Sequence, residues 1–298
     1  MTASVESGAD LVAPLAARRL ARLRHLDLVG LVITLVTLVA AVFWAFPLYW
    51  GLVTTFKHEY EIVQPGFQIW PKHFTVENYV HVLLQTKIGL WYLNSLITSI
   101  AVMLIVVATS ACAGYAISQL DFPGRRFFWW MILASFMVPV SALIVNHFIL
   151  MSQFKLINTL AGVVGPQLVY APVTIIIYKQ FFDSVPKDFR EAAVIDGASE
   201  LQLLFRIYLP MNWGVTTALA IITFIGAWNQ FLWPFLAVSS EDKMNITVGI
   251  TQVHDAFGVS YGRDLAVAML AALPVALVYL IFQRRVTQAI MLSAGIKG

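Results

Sequence analysis

The chain is 298 residues long with a formal net charge of +3, and 12% of it is charged while 59% is hydrophobic, for a mean hydropathy of +0.78. Soluble domains carry about 25% charged residues, so the composition excludes an ordinary soluble domain and requires an integral membrane protein. The small positive excess matches a topology signal and gives no ground for nucleic-acid binding, and the single cysteine, Cys112, excludes an intrachain disulfide or a thiolate metal cluster.

Residues 1–26 read as a cytoplasmic tail ending in the basic segment LAARRLARLRHL, which either anchors the topology or lies on an anionic membrane surface. A bilayer-crossing helix needs about 20 apolar residues, because each residue rises about 1.5 Å through roughly 30 Å of hydrocarbon. Charge-free runs of that length follow at Leu28 to Phe56, Ile88 to Leu120, Phe127 to Phe154, Leu156 to Tyr178, Ile207 to Ser240 and Leu265 to Gln283. The first run exceeds the roughly 7–15 residues of a signal-peptide core and reads as a retained helix. The expected fold is therefore all-α: a six-helix transmembrane domain over residues 27–285 and a cytoplasmic tail over 286–298.

Between the first two runs, Lys57 to Lys87 is too long for a hairpin, and Thr75 is placed to cap a short outer-face helix containing Tyr79 and Val80. The Asp121 to Arg126 stretch, DFPGRR, reads as a tight cytoplasmic turn bent by Pro123 and Gly124. Pro139, Pro172, Pro234 and Pro274 fall inside the apolar runs, where each removes a backbone hydrogen bond and either kinks a moving helix or is tolerated as membrane helices tolerate proline. With the N-terminus inside, thirteen of the 19 Lys and Arg residues lie on the cytoplasmic side. The positive-inside rule then makes both termini cytoplasmic.

One polar island interrupts this pattern at residues 184–210. Ser184 is placed to cap a helix with Pro186 in its first turn, the helix carries Phe189, Ala192, Ala193 and Asp196, and Gly197 ends it in a left-handed conformation. Ser199 with Gln202 forms a capping box for a second helix, with Leu203, Leu204 and Ile207 on its apolar side as far as Pro210. The island is thus a cytoplasmic helix-turn-helix. Its small alanines allow close approach by another surface, and Glu191 and Asp196 offer carboxylates to cationic partners.

Glu191, Ala192 and Ala193, followed by Gly197, Ile207, Leu209 and Pro210, resemble the EAA signature of permease subunits in ABC importers. FTVENY (Phe74 to Tyr79), NSL (Asn94 to Leu96), FPG (Phe122 to Gly124), WNQFLWP (Trp228 to Pro234) and the closing AGIKG (Ala294 to Gly298) look like the maltose-type carbohydrate permeases, and within them the smaller of two paired permease subunits. Ala294 and Ile296 depart from the usual Gly-Ala-Val-Lys-Gly ending. The resemblance implies a permease of the bacterial inner membrane that works with a second permease, a cytoplasmic ATPase dimer that uses MgATP, and an extracytoplasmic substrate-binding protein. It also implies no cofactor on this chain, a Glu191 partner on the ATPase, and an outer loop from Ser239 to Arg263 facing the binding protein. The tail from Arg284 to Gly298 either reaches the ATPase or frays.

Polar groups inside the apolar runs are candidates for a solute path, because burying them in lipid is costly. Asn146, His147, Gln167, Asn229 and Gln230 are such groups, and Trp228 and Trp233 add aromatic faces that suit a pyranose. The alternative for the amides is packing glue between helices, and for the tryptophans an interfacial belt. An intramembrane enzyme would need paired acids or a metal-binding cluster at membrane depth, and a secondary transporter would use buried charges; the runs supply neither. No G-x-x-x-x-G-K-[ST] phosphate loop is present, so energy must come from another subunit. The expected cargo is a sugar or sugar-like solute, with a polyol or glycerol phosphate as the alternative.

Overall fold

A computed structural model describes residues 28–66, 68–253 and 259–293, the stretch 284–293 by its backbone alone. The main helices are α1 (Leu28–Thr54), α2 (Glu77–Gln85), α3 (Ile88–Gln119), α4 (Arg125–Met137), α5 (Ile144–Gln153), α6 (Leu160–Gln167), α7 (Ala171–Asp183), α8 (Lys187–Ile195), α9 (Glu200–Met211), α10 (Trp213–Trp228), α11 (Leu232–Ala237) and α12 (Tyr261–Ser293). No strand occurs among the described residues. The N-terminal tail and the AGIKG ending lie outside them.

Among the described residues, four segments are long and apolar enough to cross a bilayer: Val29–Thr54, Ile88–Gln119, Leu160–Asp183 and Tyr261–Gln283. The other two expected spans are not straight. The run from Phe127 to Phe154 is bent by 92° between α4 and the helical stretch Val140–Gln153. The cause is Pro139: the residue before a proline is driven out of the α region, and Val138 is extended at φ −76° and ψ 120°. The run from Ile207 to Ser240 begins inside α9, turns by 85° into α10 just beyond Pro210, and breaks again before α11. The span expected to end at Gln283 continues as helix through Ser293.

Helix α3 is the axis of the molecule, packed by α6, α7, α10 and the short helices before α12. Close approach to α7 depends on Gly114, where a Cβ would lie 2.7 Å from Cβ of Tyr178. Helix α1 touches α12, with Gly51 against Met269, but its most apolar window is unburied within the chain.

The two ends of α3 organise different structures. At its N-terminal end, the segment after α11 folds back into the protein, and Met244, Asn245, Ile246, Val248 and Gly249 are buried. Irregular backbone at such depth needs polar partners, and α3 supplies them. Asn94 Nδ2 donates to the carbonyls of Asp242 (3.0 Å) and Met244 (2.9 Å), Ser95 Oγ accepts from Ile246 N (2.8 Å), and Thr98 Oγ1 accepts from Asn245 Nδ2 (2.9 Å). The first part of the segment from Ser239 to Arg263, read from the sequence as an outer loop, is therefore packed into the core, and residues 254–258 lie outside the described set. Nearby, the Glu59 carboxylate accepts from Tyr261 N and Gly262 N, both at 3.1 Å, and so caps the start of α12. The Thr75 expectation needs one adjustment: its hydroxyl accepts from Glu77 N at 3.1 Å, but the residue at the α2 N-cap is Val76.

Candidate functional site

At the C-terminal end of α3 stands the helix-turn-helix of α8 and α9. Ser184 does not cap α8: it ends α7, donating through Oγ to the Phe181 carbonyl, and Pro186 itself occupies the α8 N-cap. The fixed proline φ of −58° sets the entry to the helix without any side-chain cap.

Two interlocking devices fix the turn. Asp196 is the C-cap of α8, Gly197 has φ 78°, Ala198 N donates to Ala193 O and Gly197 N to Val194 O, each at 3.0 Å. This is the Schellman pattern, in which a left-handed residue closes a helix at little cost because glycine has no Cβ. Ser199 and Gln202 then form the expected capping box, with Ser199 N donating to Gln202 Oε1 at 2.9 Å.

Beneath the turn lies a buried cluster of Tyr115, Tyr178, Phe182, Leu203, Leu204 and Tyr208. The Tyr208 hydroxyl donates to Gln119 Oε1 (2.7 Å), Gln119 Nε2 donates to the Phe182 carbonyl (3.1 Å), and Arg190 on α8 reaches Glu200 on α9 at 2.6 Å. A π-helical turn at Leu204–Tyr208 directly precedes Leu209 and Pro210. A proline offers no N–H and its ring crowds the preceding turn, so wider spacing there relieves the clash.

This base presents one face outward. Glu191, Ala192, Asp196 and Gly197 are exposed, Ala193 and Ile207 are half-buried against the cluster with Leu209, and Pro210 is exposed. Phe189, Ile195, Leu201 and Phe205 add exposed apolar area, with Ile195 at 85%. The exposed side chains of the helix-turn-helix thus include four large apolar groups as well as the Glu191 and Asp196 carboxylates.

The path candidates are distributed differently. Trp228 is buried, with Nε1 donating to the Ala271 carbonyl at 3.3 Å and its ring beside Tyr92. Trp233 is also buried and donates to the Gly162 carbonyl at 3.0 Å, with the His147 ring edge-on to it at 6.0 Å. Asn146 and Asn229 are exposed. Gln230 Nε2 donates to the Tyr170 hydroxyl at 3.0 Å.

The bend at Pro139 brings several of these together. A cavity of about 130 Å³ is lined by Ser141, His147, Gln167, Tyr170, Gln230 and Trp233 among others, none of them Asp, Glu, Lys or Arg. It shares His147 and Tyr170 with a larger, mostly apolar cavity of about 580 Å³. Gln167 is 2% exposed, and its Oε1 has no hydrogen-bond partner among the described residues. Such an acceptor is costly to leave unpaired. Trp228, Asn146 and Asn229 do not line the small cavity. Tyr170 and Ser141 have no signature in the sequence, since isolated hydroxyls in apolar runs carry no spacing signal.

Residues 112–291 match the family described as "Binding-protein-dependent transport system inner membrane component". The chain is 35% identical over 250 residues, 82% of each protein, to the diacetylchitobiose uptake system permease protein NgcG of Streptomyces coelicolor. It is 30% identical to the arabinooligosaccharides transport system permease protein AraQ of Halalkalibacterium halodurans, covering 85% of this chain and 91% of that one. It is 32% identical to the sn-glycerol-3-phosphate transport system permease protein UgpE of Pectobacterium atrosepticum, covering 88% and 94%. Among solved structures, a chain of a bacterial ABC transporter involved in the import of the acidic polysaccharide alginate has the same fold, with a TM-score of 0.76, 20% identity, and 88% and 97% of the two chains covered.

Proposed function

Because the chain belongs to the family of binding-protein-dependent transport system inner membrane components, and is a transport subunit rather than an enzyme, we propose that it imports an oligosaccharide by alternating access, driven by a separate ATPase. The observation that carries this reading is the doubly capped helix-turn-helix, which holds Glu191, Ala192 and Gly197 on an outward face over a packed aromatic base.

In this reading α8 and α9 insert into a groove of a cytoplasmic ATPase dimer. Glu191 pairs with a basic group there, Ala192 and Ala193 allow close contact, and Phe189, Ile195 and Leu201 bury apolar area. MgATP bound by the ATPase closes its dimer and moves the knob. The base transmits that movement because Tyr208, Gln119 and Phe182 tie α9 to α3 and α7. Two states then exchange, each favoured by different contacts. The excess of Lys and Arg in the segments on the knob side supports a cytoplasmic knob in this reading, and the opposite end of α3 faces a substrate-binding protein. A second permease covers α1 and completes the path.

The cargo assignment rests on two supports. Relatives of this chain are named for diacetylchitobiose and arabinooligosaccharide transport, and the cavity at the Pro139 bend offers amide, hydroxyl and imidazole groups without a charged side chain. Such groups suit neutral hydroxyls.

Purifying the tagged chain from its own cells in mild detergent tests the reading. Co-elution of an ATPase and a second permease with MgATP hydrolysis, and loss of labelled oligosaccharide uptake when the gene is removed, are the expected results. Recovery of this chain alone and active would overturn it. Uptake of glycerol phosphate in place of oligosaccharide would overturn the cargo alone.

A further inference from the structure

We propose that the knob end of the protein carries a binding site for the headgroup of an anionic phospholipid, between the first turn of α4 and the middle of α7. A cavity of about 490 Å³ there is lined by Asp121, Gly124, Arg125, Arg126, Trp129 and Lys179 among others. Its ligand chemistry is a phosphate monoanion or diester. Neither the coupling surface nor the candidate path uses it, since no residue of α8 or α9 lines it and it shares no lining residue with the cavity at the Pro139 bend.

The charges are unevenly spent. Lys179 is paired with Asp183 at 2.5 Å and stands 5.0 Å above the Trp129 ring. Arg125 gives one guanidinium nitrogen to the Ser118 carbonyl at 3.0 Å, which fixes the side chain and leaves the rest of its donor fork available. Arg126 is exposed and has no hydrogen bond or ion pair among the described residues. Asp121, exposed, is the carboxylate that opposes an anion here, and Asp183 is engaged by Lys179 and by Ser118 Oγ at 2.6 Å. Two arginines beside one another, one of them already oriented, suit bidentate contact with phosphate oxygens.

The surroundings select a lipid over a soluble anion. Phe127 and Trp130 are 64% and 60% exposed next to the arginines, and Phe128 is half exposed. Aromatic side chains beside cations mark the depth of a bilayer interface, and basic pockets between helices at that depth bind anionic headgroups. The acyl chains would lie along α4 while the phosphate enters the cavity.

The test uses the full chain with its co-purifying subunits, incubated with phosphatidylglycerol or phosphatidylcholine in mild detergent and read by native mass spectrometry. Retention of phosphatidylglycerol over phosphatidylcholine is expected. Arg126→Gln should weaken it about fivefold and Arg126→Gln with Lys179→Gln roughly twentyfold, with unchanged elution and melting temperature. Arg126→Lys should retain most of the binding and guards against a folding artefact. Equal retention of both lipids, or undiminished retention by a folded double variant, would overturn the site. Displacement by millimolar inorganic phosphate would assign it to a soluble anion and overturn the lipid. Loss of a co-purifying subunit without change in lipid retention would make the patch a protein contact, which also overturns it.

Discussion

Arg190 on α8 donates to Glu200 on α9 at 2.6 Å, and the other oxygen of the same carboxylate accepts from the Tyr115 hydroxyl on α3 at 2.5 Å. One carboxylate thus joins both arms of the knob to the central helix. In the proposed mechanism this tie makes the knob move with the transmembrane helices instead of pivoting on its turn.

Replacing Arg190 with Ala should leave the chain inserted but loosen α8. The pair is partly exposed, so a double-mutant cycle with Glu200→Ala is expected to give a coupling of about 0.5–1 kcal/mol. The functional loss should be larger than that stability loss, read as transport per ATP hydrolysed by the purified complex. Unchanged coupling of transport to hydrolysis would refute the tie.

Glu191→Arg places a cation where the proposed socket is cationic. ATPase co-purification should fall at least tenfold at normal membrane insertion, since like charges across an interface cost several kcal/mol. Wild-type transport by this variant would remove the lever assignment.

The contact of α3 with α7 should be intolerant of a single methyl. Gly114→Ala brings a Cβ to 2.7 Å from the Tyr178 Cβ and 3.3 Å from the Ile175 carbonyl, whereas a Cβ at Gly214 meets nothing within 4 Å. Overpacking costs about 1–3 kcal/mol, while alanine for glycine in an open helical position gains about 0.5–1 kcal/mol. Melting temperatures in detergent should fall for Gly114→Ala and hold or rise for Gly214→Ala.

At the opposite end, Lys87 reaches Asp242 at 2.9 Å and Glu241 at 3.2 Å, pinning the infolded loop to the start of α3. The hydrogen bond from Lys87 holds the Asp242 carboxyl below its usual 3.8, and the bonds to Asp242 and Glu241 hold Lys87 above its usual 10.5. A depressed acid contributes above its unfolded value and loses that contribution as pH falls through the folded value. A raised lysine contributes below 10.5 and loses it as pH rises through its folded value. The tie is therefore intact across neutral pH and lost at both extremes. Hydrogen exchange of amides 241–249 should accelerate below about pH 4, beyond the intrinsic change, and Asp242→Asn should show faster exchange already at neutral pH. A flat wild-type profile with an unaltered variant would exclude the tie.

Gln230 is bonded to Tyr170 at the cavity, and Asn229 is exposed beside it. Asn229→Ala and Gln230→Ala should leave co-purification of the subunits intact and change the apparent KM for the imported solute, by about fivefold for Gln230, as the loss of one neutral hydrogen bond implies. An assembly defect in place of the KM change would make these amides packing groups.

Much of the architecture was legible in the chain itself. Apolar length determines which segments can enter a bilayer, because lipid offers the backbone no partners. The turn from Ser199 to Gln202 and the left-handed Gly197 followed from local hydrogen-bonding rules that act over a few residues. Span straightness was less accessible: Pro139 announced a break, but its angle depends on how α5 packs against α6 and α11. Burial of Met244, Asn245, Ile246 and Val248 was invisible, because an amide at Asn94 and hydroxyls at Ser95 and Thr98 satisfy a loop about 150 residues away. The same distinction separates the sites. Glu191, Ala192 and Gly197 lie within one short helix and its cap, so local rules alone place them, whereas Gln167, Tyr170, Gln230 and Ser141 meet only when the bend at Pro139 closes on the turn before α7. Composition and short-range chemistry determined what enters the membrane and how the knob is capped. Tertiary packing decided which polar groups share a cavity, since that is set by long-range contacts that no local pattern encodes.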